Sequence, residues 1–121
     1  MSTTTALGTQ AELLIAQHLK QQGFTILAHN YTQRCGEIDL IAQKKELLVF
    51  VEVKCRRSNY FDMAEVVTRS KQKKIIRTAQ YFLCATKREE SVCQFDVALV
   101  TYTPDNKSEI TYIPHAFTAQ D

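Results

Sequence analysis

Residues 36–56 read GEIDLIAQKKELLVFVEVKCR, and this stretch decides the fold. Apolar residues dominate its two halves, and a short polar run separates them. Residues 37–43 and 47–55 are therefore predicted to be two β-strands. A tight turn at Lys45 and Glu46 joins them, so we expect an antiparallel hairpin.

The register of this hairpin decides which of its charged side chains meet. With a two-residue turn, Asp39 lies directly opposite Glu52 and Glu37 lies opposite Lys54, with about 5 Å between opposed Cβ atoms. Side chains alternate along a strand, so each strand presents its two charged residues on one face. A slip of one residue would turn Asp39 away from Glu52.

Two opposed carboxylates repel each other, and burying them costs several kcal/mol unless another group compensates. Oxygen ligands at this density suit Mg²⁺ or Mn²⁺. Asp39 and Glu52 are thus candidate metal ligands, and Lys54 is a candidate to orient water or stabilise the reacting phosphorus. The pattern leaves another interpretation open, in which these side chains form the solvated face of an amphipathic hairpin.

The remaining sequence predicts further elements around the hairpin. Helices are expected over 6–22 and 70–86, strands over 24–31, 94–103 and 109–113, and a loop over 58–62. This order predicts an α/β fold in which helices pack against a small mixed sheet. The length fits one domain over residues 1–121.

Positive charge is concentrated in one part of the chain. Ten basic and two acidic residues lie between Lys54 and Arg88, so this segment carries +8 although the whole chain carries only +2. Such a segment is typical of a phosphate-binding surface, although a solvated helix face explains many such segments. On the second helix, Lys73, Lys74 and Arg77 are expected to project opposite the apolar stripe.

The composition favours a folded protein that acts in the cytoplasm. Neither a secretory leader nor an apolar run long enough for a membrane span is present, so we expect no membrane association. The four cysteines are scattered without a C-x-x-C pair or a nearby group of histidines. This argues against a zinc site and favours free thiols.

Two motifs in the hairpin resemble those of known nucleases. Asp39, followed after twelve intervening residues by Glu52-Val53-Lys54, resembles the D…E-x-K signature of the PD-(D/E)xK nuclease superfamily. The longer strings GEIDLIA (36–42) and VFVEVKCR (49–56) resemble the YraN family of small bacterial proteins, predicted to be endonucleases with a fold similar to Holliday-junction resolvases. The likeness continues at Ala11-Glu12, Asn30-Tyr31, Lys71, Phe95-Asp96-Val97 and Ala116-Phe117.

The resemblance implies a restriction-endonuclease-like αβββαβ core and assigns roles to individual residues. Asp39 and Glu52 become metal ligands for Mg²⁺ or Mn²⁺, and Lys54 becomes the catalytic lysine. Glu12 is the candidate to complete the acidic cluster, with a surface carboxylate as the equal alternative. Arg56 and Lys71 match recurrent family positions and are expected to contact nucleic acid, with a solvated basic residue as the alternative. The basic face of the second helix adds Lys73 and Arg77 as expected contacts.

The leading interpretation is a metal-dependent endonuclease that hydrolyses phosphodiester bonds in DNA, with branched or structured DNA as a candidate substrate. A non-catalytic nucleic-acid-binding module on the same fold is the first alternative. A protein-interaction module that uses the basic helix to bind an acidic partner is the second. Resolvases of similar fold act as dimers, so a homodimer stays open, although the sequence identifies no dimer surface.

Overall fold

The computed structural model describes residues 3–57, 62 and 66–119. The predicted loop at 58–62 lies outside them apart from residue 62. The helices are α1 (Thr3–Gln21) and α2 (Arg69–Ala85). The strands are β1 (Thr25–Gln33), β2 (Gly36–Lys44), β3 (Leu47–Arg56), β4 (Val92–Tyr102) and β5 (Ser108–Phe117).

The five strands form one mixed sheet in the order β1-β2-β3-β4-β5. β1, β2 and β3 are a meander of antiparallel neighbours. β4 runs parallel to β3, and the chain between them includes α2, as a crossover connection requires. β5 returns antiparallel to β4 at the edge of the sheet. The predicted α/β fold with a mixed sheet and flanking helices is confirmed, and it is consistent with a restriction-endonuclease-like core.

The helices cover opposite faces of the sheet because the central strands are apolar on both faces. Ala11, Ile15 and Leu19 of α1 pack with Leu40 and Val51. Ile75, Ala79 and Phe82 of α2 pack with Ile41 and Phe50 in a second cluster. No helix in the described part of the chain is long and apolar enough to cross a bilayer.

The predicted hairpin register is confirmed over its central part. Leu40 pairs with Val51 and Lys44 pairs with Leu47, which leaves Lys45 and Glu46 as the two-residue turn. Lys45 has a φ of 57°, a left-handed conformation that glycine and asparagine adopt more readily than lysine. The turn therefore forms without the glycine or asparagine that usually favours it.

β5 is longer than the predicted strand at 109–113, because it continues past Pro114 to Phe117. Proline is tolerated here because β5 is an edge strand and the ladder is irregular at this point. The register shifts between Phe95 and Val97 of β4, and His115 has a φ of 53°. The sequence alternation that ends at Ile113 thus marks a bulge within the strand and not its end.

Asp96, buried in β4, holds this bulge in place. Its Oδ1 accepts hydrogen bonds from the backbone N–H of His115 at 3.1 Å and from Gln94 Nε2 at 3.0 Å. The Tyr112 hydroxyl donates to Oδ2. Burial, followed by this hydrogen bond and the charge of Asp96, raises the pKa of Tyr112. The carboxylate is therefore a structural acceptor whose three donors all belong to β4 or β5.

Candidate metal centre

The candidate site lies where β2 and β3 stop pairing. Their ladder ends at Leu40 and Val51, one position before Asp39 and Glu52 would face each other as backbone partners. There Asp39 Oδ2 accepts a hydrogen bond from the backbone N–H of Val53 at 2.8 Å. The carboxyl oxygen of Asp39 thus accepts a hydrogen bond from a backbone N–H that has no backbone partner across the hairpin. This contact fixes the carboxyl group of Asp39 beside β3.

The side chains of Asp39 and Glu52 converge at this opening. Glu52 is only 8% exposed, and Asp39 is partly buried. Burial, followed by the charge of Glu52, raises the pKa of Asp39 to about 8, although the Val53 N–H opposes the shift. A hydrogen bond between the two carboxyl groups and the charge of Glu12 add to the rise. Burial and the neighbouring carboxylates therefore disfavour the ionised form of Asp39.

A cavity of about 440 Å³ opens over this pair. Its acidic side consists of Glu37, Asp39 and Glu52, and its basic side consists of Lys71 and Lys74 on α2. The other described residues that line it are Gly36, Thr68, Ser70 and Ile75. Carboxylates of the hairpin and ammonium groups of α2 therefore line one cavity, and its volume is in the range of small-ligand sites.

Gly36 allows α2 to approach the hairpin closely enough to form the basic side of the cavity. A methyl group on Gly36 would lie 3.1 Å from Thr78 Oγ1 and 3.2 Å from Lys74 Cβ, which is tighter than normal packing. The glycine at the start of the GEIDLIA string thus has a steric explanation.

Thr68 positions the first turn of α2. As the N-cap, its side chain accepts a hydrogen bond from the backbone N–H of Lys71 at 3.1 Å. Lys71 in turn places its ammonium group against Glu52 Oε2 as an ion pair. Lys74 was predicted to project from the basic face of the second helix, whereas Thr68 and Ser70 were not singled out from the sequence. Of the residues not singled out, Thr68 could have been identified from the sequence, because threonine is a preferred N-cap residue before a helix.

Glu12 approaches the acidic pair from α1. Its Oε1 accepts a hydrogen bond from Asn30 Nδ2 at 3.0 Å, and Asn30 has a φ of 50° at a position that the β1–β2 ladder skips. Burial raises the pKa of Glu12, and the charges of Glu37 and Glu52 act in the same direction. Glu12 is not among the described residues that line the cavity.

The predicted opposition of Glu37 and Lys54 is wrong, because the two strands separate before reaching them. Glu37 pairs with Thr32 of β1, whose hydroxyl donates to Glu37 Oε1 at 3.2 Å. Lys54 pairs with Leu99 of β4 and lies on the same face of β3 as Glu52. Within the residues that the structure describes, its ammonium group has no ion-pair partner.

The other predicted phosphate contacts lie outside the cavity lining. Lys73 and Arg77 are exposed on the outer face of α2, four residues apart, and Arg56 is exposed at the end of β3. Of the four residues predicted to contact nucleic acid, only Lys71 lines the cavity, which it shares with Lys74. The basic surface therefore extends from the cavity along α2.

Asp39 and Glu52 are suitable ligands for a hard divalent cation. They offer carboxylate oxygens, and the charge of Glu52 adds to burial in raising the pKa of Asp39; a cation between the two carboxylates would remove their repulsion. Mg²⁺ commonly uses one or two carboxylates and completes its shell with water and phosphate. No group of three or more cysteine, histidine, aspartate or glutamate side chains is arranged to hold a metal within the described ranges.

Comparison with known proteins places the chain in a family. A UPF0102 protein of Saccharophagus degradans is 47% identical over 116 residues, which cover 94% of each chain. A UPF0102 protein of Nitrosomonas europaea is 41% identical over 118 residues, covering 97% of this chain and 98% of the relative. Residues 11–100 match the model of the uncharacterised protein family UPF0102. The chain therefore belongs to the UPF0102 family, as the resemblance to YraN proteins predicted.

Proposed function

We propose that this protein is a metal-dependent endonuclease that hydrolyses phosphodiester bonds in DNA. The observation that carries the proposal is the convergence of Asp39 and Glu52 in one cavity with Lys71 and Lys74. Metal-dependent hydrolysis of a phosphodiester uses a cation near the reacting phosphate and positive groups around its oxygens. The two sides of the cavity have the charges for these two tasks.

Each residue has a role in this proposal that follows from its position. Asp39 and Glu52 would hold the cation, which when bound lowers the pKa of a water molecule and neutralises phosphate charge. Lys54, two residues after Glu52 on the same face, would donate to a phosphate oxygen. Lys74 would hold the phosphodiester from the α2 side of the cavity. Glu12 would complete the acidic cluster from α1.

DNA is the expected substrate because the basic surface is larger than one phosphate needs. Lys73 and Arg77 extend the positive charge along the exposed face of α2, and Arg56 extends it at the end of β3. Cations spaced over nearly two turns of helix, from Lys71 to Arg77, and at the end of a neighbouring strand suit a polymer of phosphates better than a single anion. Branched DNA is the first structured substrate to test, because the family resemblance includes Holliday-junction resolvases.

A cleavage assay tests this proposal directly. Linear, nicked and four-way DNA would be incubated with Mg²⁺ or Mn²⁺ and compared with a chelator control. Asp39→Asn and Glu52→Gln should abolish cleavage, while Glu109→Gln, which removes an exposed carboxylate on β5, should cleave like wild type. The enzyme proposal is refuted if no substrate is cut above the level of the Asp39 variant.

A non-catalytic DNA-binding module is the second candidate, and one observation favours it. Glu52, a proposed metal ligand, already has a cationic partner in Lys71. A protein of this kind would bind DNA in a salt-dependent manner through Lys73, Arg77 and Arg56. Binding that is unchanged in Asp39→Asn and Glu52→Gln, together with no cleavage by wild type, would favour this candidate.

A further inference from the structure

Lys71 is a cation that the chain itself supplies to Glu52. Its Nζ forms an ion pair with Oε2 of Glu52, whose side chain is 9% exposed, whereas the Lys71 side chain is 42% exposed. The Lys71 backbone N–H is fixed by the Thr68 cap. The residue is therefore anchored at its backbone, while its long, partly solvated side chain can move.

This ion pair and a divalent cation require the same carboxylate. An ammonium group on Oε2 would lie only a few ångströms from an ion held between Asp39 and Glu52, and like charges at that distance repel strongly. Glu52 cannot move away easily, because it lies in the middle of the sheet between Val51 and Val53. The side chain expected to move is therefore that of Lys71, which is half-exposed.

The ammonium group of Lys71, once displaced from Glu52, would still lie in the same cavity. Lys71 and Lys74 lie one helical turn apart, and both line the space over the acidic pair. A substrate phosphate bound by the cation would lie in this space and would offer the oxygens that Lys71 loses on leaving Glu52.

We propose that Lys71 is an exchangeable counterion, which neutralises Glu52 until a divalent cation binds and then transfers to a phosphate of the substrate. The inference rests on the proposed function, since it assigns Lys71 a role at the same metal site. It makes one prediction that a fixed structural ion pair does not. Removing Lys71 should strengthen binding of the metal alone and weaken binding of DNA to the metal-loaded protein.

The first experiment measures metal alone. Mn²⁺ and Ca²⁺ would be titrated calorimetrically into wild type, Lys71→Met and Lys73→Met, of which the last removes an exposed charge from the outer face of α2. Lys71→Met should bind each ion about fivefold more tightly, which corresponds to the loss of one half-exposed ion pair. Lys73→Met should stay within about twofold of wild type. Lys71→Gln provides a second variant if the methionine variant does not fold.

The second experiment measures DNA binding as a function of salt, in chelator and in Ca²⁺. Each phosphate contact adds about 0.9 to the slope of log affinity against log salt on B-DNA. In chelator, Lys71→Met should have the wild-type slope, because Lys71 is engaged with Glu52. In Ca²⁺ its slope should be lower than wild type by about one contact. Lys73→Met should lower the slope equally in both conditions.

The outcomes separate this inference from the proposed function. Equal metal affinity in wild type and Lys71→Met, or weaker affinity in the variant, would overturn the exchange while leaving the metal site intact. If wild type binds no metal, or if Glu52→Gln binds it as wild type does, both the proposed site and the exchange are refuted. A salt slope that falls equally with and without Ca²⁺ in Lys71→Met would also overturn the exchange.

Discussion

Replacing Asp39 with asparagine should stabilise the metal-free protein at neutral pH. The folded chain raises the pKa of this carboxyl group from 3.8 to about 8, so the folded state retains a proton that the unfolded state has lost. Each pKa unit corresponds to about 1.4 kcal/mol. The cost is absent below about pH 4, grows as the pH rises, and reaches roughly 4 kcal/mol at pH 7.

Asparagine removes this cost and keeps the local contacts. Its Oδ1 can still accept from the Val53 N–H, and its Nδ2 can donate to Glu52. After allowance for burying the amide, we expect the variant to gain about 2 to 4 kcal/mol at pH 7. Because the cost is absent at low pH, the gain should disappear as the pH falls toward about 4.

Urea unfolding followed by circular dichroism, in chelator at several pH values, would measure this gain. Glu109→Gln is the control, since it neutralises an exposed carboxylate on β5 far from the acidic pair. The reasoning fails if Asp39→Asn is no more stable than wild type at pH 7. It also fails if its gain is the same at about pH 5 as at about pH 8.

Three further predictions concern the proton of Asp39, the hydrogen bond from Tyr112 to Asp96 and the Thr68 cap. Mn²⁺ affinity, measured by calorimetry, should rise by up to about tenfold per pH unit until about pH 8 and then level off, because the metal must displace the proton of Asp39. An affinity that does not change with pH would exclude the Asp39 carboxylate as a ligand. Tyr112→Phe should lower the free energy of unfolding by about 1.5–3 kcal/mol in urea titrations, because Asp96 loses its hydroxyl donor, and a neutral result would show that Gln94 and His115 suffice. Thr68→Ala should lower it by about 1 kcal/mol through loss of the α2 cap, whereas Thr111→Ala, at an exposed position on β5, should change it by less than about half as much.

The hairpin and the order of elements were predictable because local rules govern them. Alternation of apolar side chains identified β2 and β3, and the length of the polar turn fixed their register up to Leu40 and Val51. The convergence of Asp39 with Glu52 followed from that register. The predicted opposition of Glu37 and Lys54 was wrong, because the two strands separate at Asp39. There the Asp39 side chain, and not a backbone carbonyl, accepts the hydrogen bond from the Val53 N–H.

Other features depend on distant parts of the chain. Lys74 lines the cavity because Gly36 lets α2 approach the hairpin, and helix periodicity indicates only that Lys74 lies off the apolar stripe. Asp96 stabilises a bulge formed by β5, which no pattern within β4 reveals. Pro114 resembled the end of the predicted edge strand because the bulge that carries β5 past it depends on pairing with β4.

The parallel pairing of β3 with β4 has a consequence for how the protein folds. Leu47 pairs with Val92, so this ladder forms only after the intervening chain, including α2, has closed a long loop. The antiparallel meander of β1, β2 and β3 needs only short-range contacts and is expected to form first. Until β4 arrives, the inner edge of β3 is unpaired and can recruit another chain. We therefore expect folding to be slow relative to helical proteins of this size and most prone to aggregation at this step.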